Sequence, residues 1–441
     1  MRKLVNIHKH KLLIVILFLP VMVWSQEKKE FHTLDEVLAF AKEKKVSFRN
    51  DIIQQNLAEL TRKTAVGNAF NPRIPVSAQV IDNMNLQTNY IPAEVFGGLP
   101  GSFREITMGL QYVSTFSIQP QFDIINLGNI SRIKLAKTNQ ELVANQQKIN
   151  EWTIYDQLNG IYFNILSFQG QQQMVEQNIV IAKQILTIVN NRFEEGLVRK
   201  QDVNEAEVNL IRLQDQLSQL QFYIQIQQQN LALFFENEVN PILNQNIRDF
   251  DHKQILTEAN NNLWVNHYQL REKVAEQEWK AAQKQQLPVL GFVSSFNWQN
   301  LSNESFFHPN SNWIRYNYVG LRLSWDLPTT VSKYSAVKEK KMQWQMAEND
   351  RTHFLRENET RNSNLLVEYE KTSSQLENFK KIQTLKEDTY QKYFDQYQEN
   401  ILPLDKLLTA QTDMLLSQLN VITALAGIGF SENKIIINNK F

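Results

Sequence analysis

The sequence predicts a mainly α-helical protein that carries a small portion of membrane-spanning β-strands. Three observations support this fold class: two very long stretches of helix-forming residues, short segments in which apolar and polar residues alternate, and an order of these patterns that occurs twice. The 441 residues include only 13 glycines and 11 prolines, and no Gly/Ser-rich or Pro-rich linker interrupts them. We therefore expect one elongated architecture rather than several compact domains.

Residues 1–25 have the layout of a secretory signal peptide. A basic segment is followed by an apolar run from Leu12 to Val23, and Val23 and Ser25 occupy the small-residue positions of a cleavage site before Gln26. The apolar run is too short to cross a bilayer, which takes about 20 residues, so a membrane anchor is the weaker interpretation. We expect export of the chain, and no later apolar run suggests a transmembrane helix.

The first elements after the signal peptide are two helices. Thr33 and Glu36 form a capping box, with apolar residues on one face behind it, and a second helix is predicted from Val46 to Phe70. We expect these helices to open the first of two structural repeats.

Four segments alternate apolar and polar residues, near residues 73–82, 105–119, 289–299 and 314–326. Such segments are typical of transmembrane β-barrels, although half-buried strands of a soluble sheet alternate in the same way. Four strands cannot close a barrel, whose usual minimum is about eight, and open strand edges are not tolerated in lipid. We therefore expect several chains to share one barrel. The predicted lipid-facing residues are Leu290, Phe292, Phe296, Trp298, Val319, Leu321, Leu323 and Trp325.

Long helices follow each pair of strands. Residues 129–195 and 333–399 are rich in helix formers, and each stretch would be about 100 Å long at about 1.5 Å per residue. The helices after them, 201–236 and 403–426, carry the heptad spacing of coiled coils, so we expect long antiparallel coiled-coil pairs. The seam positions are Val203, Ala206, Leu210, Leu213, Leu217 and Leu220, and then Leu407, Ala410, Met414, Ser417, Val421 and Ala424.

A helix-helix turn is predicted within each long pair. Gly196 and Asn400 occupy equivalent positions (400 − 196 = 204), and glycine and asparagine most readily adopt the left-handed conformation that ends a helix. Pro403 suits the first turn of a new helix. The turns are therefore placed at Gly196, Leu197 and Val198 and at Asn400, Ile401 and Leu402.

These elements occur in the same order in two structural repeats. We assign residues 26–236 to the first repeat and residues 258–430 to the second, which also begins with a helix. Residues 237–257 are predicted to be an irregular joining region, and residues 431–441 a C-terminal tail.

The composition excludes several other classes of protein. The absence of cysteine excludes disulfides, thiolate metal sites, a cysteine nucleophile and a lipid-modified N-terminal cysteine. The 46 basic and 46 acidic residues balance, which argues against nucleic-acid binding. The histidines lack metal-ligand spacing, and no HExxH, GxSxG or P-loop motif is present. We therefore expect no catalysis, no cofactor and no metal.

The sequence resembles the TolC-like family of outer-membrane efflux proteins, the outer membrane factors. The segment TLDEVLAFAKEKK (33–45) resembles the N-terminal helix of that family. The segment FEEGLVRKQDVNEAEVNL (193–210) resembles its helix-turn signature, an aromatic-x-x-Gly-Leu followed by Asp-Val. The repeated strand pairs and long helices extend the resemblance over the whole chain after the signal peptide.

The resemblance implies a homotrimer in the outer membrane of a Gram-negative bacterium. Each chain would supply four strands to one barrel in the outer-membrane lipid, and the helices would form a hollow α-barrel across the periplasm. The two turns would form the periplasmic mouth and contact a periplasmic adaptor protein that is joined to an inner-membrane pump. Some members narrow this mouth with aspartate rings. The matching positions here are Lys406 and Thr409, and the nearest acids that could substitute are Asp395 and Asp405.

The implied function is that of an outer-membrane channel in a tripartite efflux or type I secretion system. The chain would be a passive conduit for substrates that the pump delivers. An exported coiled-coil adhesin or scaffold without a channel is the alternative, since it explains the heptads. It leaves the duplicated strand pairs and the matched turns unexplained.

Overall fold

The computed structural model describes residues 27–251 and 258–441, so the predicted signal peptide and residues 252–257 of the joining region lie outside it. The described part is mainly helical. Its strands and helices, in chain order, are β1 (Glu27–Phe31), α1 (Leu34–Lys44), α2 (Val46–Phe70), β2 (Val76–Asp82), β3 (Thr88–Pro92), β4 (Phe103–Thr107), β5 (Tyr112–Ile118), β6 (Gln121–Ile125), α3 (Leu127–Glu194), α4 (Lys200–Ala232), β7 (Val239–Leu243), α5 (Leu263–Lys284), β8 (Val289–Ser302), β9 (Trp313–Ser324), α6 (Val331–Gln398) and α7 (Leu404–Asn439).

The two longest helices, α3 and α6, have 68 residues each and are therefore about 100 Å long. Each is flanked by two shorter helices placed end to end. Helix α2 packs beside the first half of α3 and α4 beside its second half, while α5 and α7 do the same along α6. Contacts of α3 with α5 and α7 join these two three-helix units. The elements that recur in the sequence therefore also pack in the same way in both repeats.

The coiled-coil seams lie in the interior. Every predicted seam residue of α7 is buried, as are Val203, Ala206, Leu213 and Leu220 of α4, and the remaining two leucines of α4 pack against the core. The spacing of three and four residues keeps these side chains on the helix face that meets the neighbouring long helix.

A sheet of five strands joins the ends of the helices, in the order β2-β5-β8-β9 with β6 also on β8. All these neighbours are antiparallel. Strands β5 and β6 lie end to end along β8, because Pro120 separates them and Ser294 N donates instead to the Pro120 carbonyl (3.0 Å). The sheet is therefore four strands wide at the level of β5.

The predicted strand at residues 105–119 is wrong in extent. Residues 103–107 form β4, which pairs with β3 in a separate hairpin, and the strand of the main sheet begins at Tyr112. The interruption lies at Gly109, whose φ of 115° no other residue type adopts readily. The segment between β2 and β5 is thus a structured hairpin.

The joining region is less irregular than predicted. Its residues 239–243 form β7, which pairs in parallel with β1, and residues 247–250 form a single 3₁₀ turn. Phe31, Phe235 and Tyr162 are buried where these segments pack around the middle of α3. The largest hydrophobic core therefore lies at mid-length of the molecule.

The predicted C-terminal tail is helical. Helix α7 continues through residues 431–439, because Ile435 and Ile437 are buried and extend its apolar face. By length and composition α7 could cross a membrane, with a mean hydropathy of 1.5 over its most apolar window, although the sequence suggested no such run. However, 61% of that window is buried inside the molecule, where α7 packs on α3 and α6.

Candidate functional site: the paired turns and the strand face

The two helix-helix turns have the same backbone geometry. Gly196 (φ 72°) and Asn400 (φ 61°) both adopt the left-handed conformation. After α3, the Leu197 amide donates to the Arg192 carbonyl (2.8 Å) and the Gly196 amide to the Phe193 carbonyl (3.0 Å). These are the two hydrogen bonds of a Schellman motif. Both turns therefore lie at the positions predicted from the sequence.

The second turn repeats this pattern of hydrogen bonds. The Ile401 amide donates to the Gln396 carbonyl (2.9 Å) and the Asn400 amide to the Tyr397 carbonyl (3.1 Å). Pro403 then occupies the N-cap position of α7. The side chains of Leu197 and Ile401 are exposed, whereas Val198 and Leu402 pack against the core of the turn region.

Both turns are held together by one apolar cluster, here called the tip cluster. It draws on all four helices that meet there, so the two hairpins form a single end of the molecule. Its buried members are Ile185, Val189, Val203, Ala206, Tyr390, Tyr397, Leu404, Leu407, Ala410 and Met414.

Arg192 connects the first hairpin to the second and was not anticipated from the sequence. Its guanidinium donates to the carbonyls of Tyr397 and Gln398 (both 2.9 Å). These belong to the last turn of α6, where carbonyls lack partners within the helix. The same group lies 4.4 Å from the centre of the Tyr397 ring. The only sequence feature that could have indicated this contact is the position of a basic residue one helical turn before Gly196.

Burial governs the ionisation of the two tyrosines in the tip cluster. It raises the pKa of Tyr390 to about 12. Burial also raises the pKa of Tyr397, against the opposing effect of Arg192. Both hydroxyls therefore remain protonated at neutral pH, and the cluster behaves as an apolar core.

The predicted gate residues are all exposed on the second hairpin. Asp395 accepts from the Gln391 side chain (3.0 Å), and the Thr409 hydroxyl donates to the Asp405 carbonyl (2.8 Å). Asp405 and Thr409 also line a groove of about 360 Å³ between α4 and α7, opposite Glu205 and Arg212. Within one chain, these four predicted residues do not converge on a single point.

A buried row of amides fixes the register of the hairpins above the turns. Asn209 donates to the Gln411 side chain (3.0 Å), and Gln411 donates to the Asn178 carbonyl (3.1 Å). Asn178 in turn donates to Gln418 (2.9 Å), which donates to Glu387 (3.0 Å). Because a buried amide without a partner is unfavourable, this row favours one alignment of α3, α4, α6 and α7.

The register of the sheet places the predicted apolar residues on one face. Leu290 lies opposite Leu323 and Phe292 opposite Leu321. Directly paired residues share a face, and residues two apart along a strand share it as well. The same face also carries apolar residues of the strands on the other side of β8, namely Val76, Ala78, Val80, Phe116, Ile118 and Phe122. Trp325 lies one residue beyond β9 and donates its indole N–H to the Gln286 carbonyl (3.0 Å).

The opposite face of the sheet is more polar. It carries Gln79, Thr115, Ser117, Asn297, Gln299 and Arg322. Gln121 accepts from Arg322 across this face (3.2 Å). The contrast is clearest where β8 begins, because Arg315 and Asn317 of β9 lie on the apolar face opposite Trp298 and Phe296.

The sheet and the helical part of the molecule each have two exposed flanks, and these flanks lie on the same two sides. In the sheet, the outer strands are β2 and β9. Among the helices, the contacts run from α2 and α4 through α3, then α5 and α7, to α6 at the other side. Helix α2 leads into the edge strand β2, and α6 follows the edge strand β9. These flanks carry exposed apolar side chains, among them Ile53, Leu57, Leu60, Ile211, Phe222, Ile226, Val367, Ile382 and Leu385. In the part of the chain described, no group of three or more His, Asp or Glu residues is arranged to hold a metal ion.

The chain thus combines a sheet that has one more apolar face with helices of about 100 Å that end in paired turns. Residues 56–234 match the family model described as outer membrane efflux protein. The TolC-like resemblance predicted from the sequence is therefore confirmed. No curated protein sequence matches this chain.

Several solved outer membrane proteins share the fold over almost the entire chain. VceC from Vibrio cholerae is similar with a TM-score of 0.71 at 14% identity, covering 92% of this chain and 95% of VceC. The CmeC outer membrane channel of Campylobacter jejuni has a TM-score of 0.71 at 13% identity, covering 95% and 90%. The open MtrE outer membrane channel of Neisseria gonorrhoeae has a TM-score of 0.71 at 10% identity, covering 92% and 88%.

Proposed function

We propose that this chain is the subunit of an outer-membrane channel through which an efflux or type I secretion system exports its substrates. The observation that carries the proposal is the sheet with one apolar and one polar face at the end of an elongated helical body. The apolar face contacts outer-membrane lipid, and the helices extend into the periplasm. The channel is a passive conduit without a catalytic role, and a partner supplies the energy.

The functional unit is a ring of three chains. The sheet leaves β2 and β9 as unpaired edges, and open edges are not tolerated in lipid. Strand direction alternates across the four-strand width, so β9 of one chain runs antiparallel to β2 of the next. Three copies give twelve strands (3 × 4) and satisfy every edge. The exposed apolar flanks of α2, α4 and α6 meet in the same head-to-tail contact.

The paired turns are the contact surface for a periplasmic adaptor protein, which links the channel to an inner-membrane pump. Leu197 and Ile401 present exposed aliphatic side chains at equivalent positions of the two turns. The tip cluster and Arg192 hold them at the same end of the molecule. Asp405 and Thr409 line the adjacent groove and are candidates for contacts that narrow the mouth.

A bilayer experiment distinguishes this function from that of a coiled-coil adhesin or scaffold. The purified protein should migrate as a heat-modifiable trimer from the outer-membrane fraction and produce single-channel conductance in a planar bilayer. A water-soluble monomer without conductance would contradict the proposal. In this cysteine-free chain, Leu197→Cys or Ile401→Cys provides a unique crosslinking site, and the protein captured there identifies the adaptor.

A further inference from the structure

The apolar face of the sheet becomes polar along β9 at the outer end, the end away from the long helices. Val319, Leu321 and Leu323 lie on this face, but the next two positions toward the outer end are Asn317 and Arg315. Both side chains are exposed. An arginine on the lipid-facing side of a barrel is unfavourable at the bilayer centre and nearly neutral at the interface. In the proposed channel, Arg315 therefore belongs at the boundary between lipid and water.

The length of β9 supports this placement of Arg315. Trp325 continues the same alternation one residue beyond β9 and is ten residues away (325 − 315 = 10), which corresponds to about 33 Å of extended chain. Strands of membrane barrels tilt by about 40°, so the two side chains differ in depth by about 25 Å, the height of the apolar band of such barrels. With Trp325 at the periplasmic boundary, Arg315 lies at the outer boundary.

Aromatic rings surround Arg315 on the same face. Trp298 of β8 lies directly opposite it, and Phe116 of β5 follows Trp298 across the sheet, with 5.6 Å between the two ring centres. Trp313, two residues before Arg315 in β9, is 48% exposed. Tryptophan rings are concentrated where lipid headgroups meet water. These rings therefore indicate the same depth in the membrane as Arg315 does.

The polar groups at this level are hydrogen-bond donors that the chain itself does not use. Within residues 27–251 and 258–441, the Arg315 side chain has no hydrogen bond, ion pair or ring contact, whereas Arg322 on the opposite face donates to Gln121 (3.2 Å). The side-chain oxygen of Asn317 accepts from the Asn297 amide (3.3 Å), which leaves the NH₂ group of Asn317 available. A guanidinium with a nearby amide donor suits the oxygens of a phosphate group.

We propose that Arg315 and Asn317 bind a phosphate group of a lipid in the outer leaflet, with Trp298 and Trp313 packed beside its headgroup. A lipid phosphate is the anion found at this depth, and a phosphate ion in solution would gain nothing from the rings. The proposal rests on the channel described under the proposed function, whose ring of three chains would carry three such sites. A lipid bound there fixes the height of the barrel in the membrane.

An acid of the next chain is the competing partner for Arg315. Asp82 lies on the same face at the outer end of β2 and accepts from the Gln111 side chain (3.0 Å). Within one chain, Asp82 and Arg315 are on the two opposite edge strands. In the proposed ring, β2 of the next chain lies beside β9, and an ion pair there would occupy the guanidinium.

Lipid retention by the detergent-purified trimer tests the site. The probe is lipid A with two phosphates, counted by native mass spectrometry, and the parent should retain up to three molecules. Arg315→Gln should lower the affinity about tenfold, because a charged bidentate donor is lost. Arg322→Gln removes the same charge from the opposite face of β9 and should bind like the parent. Equal retention in the parent and Arg315→Gln, or equal loss in both variants, overturns the site.

Dephosphorylated lipid A shows which part of the lipid Arg315 recognises. It has the same acyl chains, so the parent and Arg315→Gln should bind it alike. A weaker binding of this lipid by Arg315→Gln would show that the arginine does not act on phosphate, and it contradicts the proposal.

The dissociation temperature of the trimer separates the lipid site from the ion pair. Lipid A should raise this temperature more in the parent than in Arg315→Gln. A lower temperature without lipid in both Arg315→Gln and Asp82→Asn would reveal the ion pair between chains and overturn the lipid site. Single-channel conductance of the parent keeps the two proposals apart. A conducting trimer that ignores lipid A overturns the lipid site alone, and a parent without conductance overturns the channel itself.

Discussion

Gly196 and Asn400 reverse the chain at the two turns through a single left-handed residue each. A Cβ placed on Gly196 would meet no heavy atom within 4 Å, so a substitution there changes the backbone energy without a clash. We expect Gly196→Val to destabilise the turn by about 1–2 kcal/mol. Faster hydrogen exchange of the amides at the start of α4, and weaker crosslinking of the adaptor to Ile401→Cys, would measure the effect.

Gly196→Asn is the matched control for that prediction. Asparagine already occupies the equivalent position 400 with a φ of 61°, so this variant should leave exchange and crosslinking close to those of the parent. The trimer and the strand sheet, far from the turn, should be intact in both variants. Identical behaviour of the valine and asparagine variants would show that the turn has no part in docking.

Arg192 provides a second prediction for individual residues. Arg192→Gln removes the charged donor from the Tyr397 and Gln398 carbonyls, and hydrogen bonds to charged groups contribute about 1.5–3 kcal/mol each, less where solvent reaches them. We expect faster hydrogen exchange in residues 396–402, measured by mass spectrometry. Arg199→Gln, a loss of the same charge beside the turn, is the control and should leave that segment protected.

These residues differ in how far the sequence could predict them. The left-handed turn at Gly196 follows from local backbone chemistry, and its counterpart at Asn400 follows from the repeat. Arg192 acts on carbonyls 205 and 206 positions away, and nothing local to position 192 identifies such a partner. The buried amides Asn178, Asn209 and Gln411 are hidden for the same reason, because Asn and Gln on a long helix have the same appearance in sequence whether they are buried or solvated.

The faces of strand β9 lead to a prediction for a whole element. Leu321 lies in the apolar face, and Tyr318, three residues earlier in β9, lies in the opposite one. Arginine at the centre of a lipid-facing strand costs about 2–4 kcal/mol, so Leu321→Arg should sharply reduce the amount of trimer in the outer-membrane fraction. Tyr318→Arg puts the same charge on the water-facing side and should assemble normally. Equal loss in both variants would mean that the loss does not come from lipid contact on one face.

Element bounds were predictable where one periodicity continues without interruption. Helix α2 runs from Val46 to Phe70 and ends at Asn71 in a left-handed conformation. The strand predicted at 105–119 failed because one local break at Gly109 divides a continuous alternating pattern between β4 and β5. The end of α7 was missed because polar residues 432–434 mask the buried isoleucines after them.

The two exposed flanks of the molecule determine how copies of it can assemble. A single chain is an open wall whose layers all end on the same two sides, with β2, α2 and α4 on one side and β9 and α6 on the other. A two-fold contact would use the same flank of both chains and would leave the other flank of each chain exposed. The head-to-tail contact of the proposed ring covers both flanks, and such a ring closes when the curvature of the sheet and helices returns to its start.

The apolar stripe on α2 provides a test of that ring. Ile53, Leu57 and Leu60 recur at helical spacing and are exposed. Replacing Leu57 and Leu60 together by Glu would place two charges in the proposed contact between chains, and we expect the trimer band to be lost. Asn56→Glu adds a charge to an exposed position beside the stripe and should retain the trimer. Because α2 packs on α3 through other residues, including Asp51 and Ala69, the helical circular dichroism of the double variant should match that of the parent. A stable trimer in the double variant would place the contact between chains on another surface.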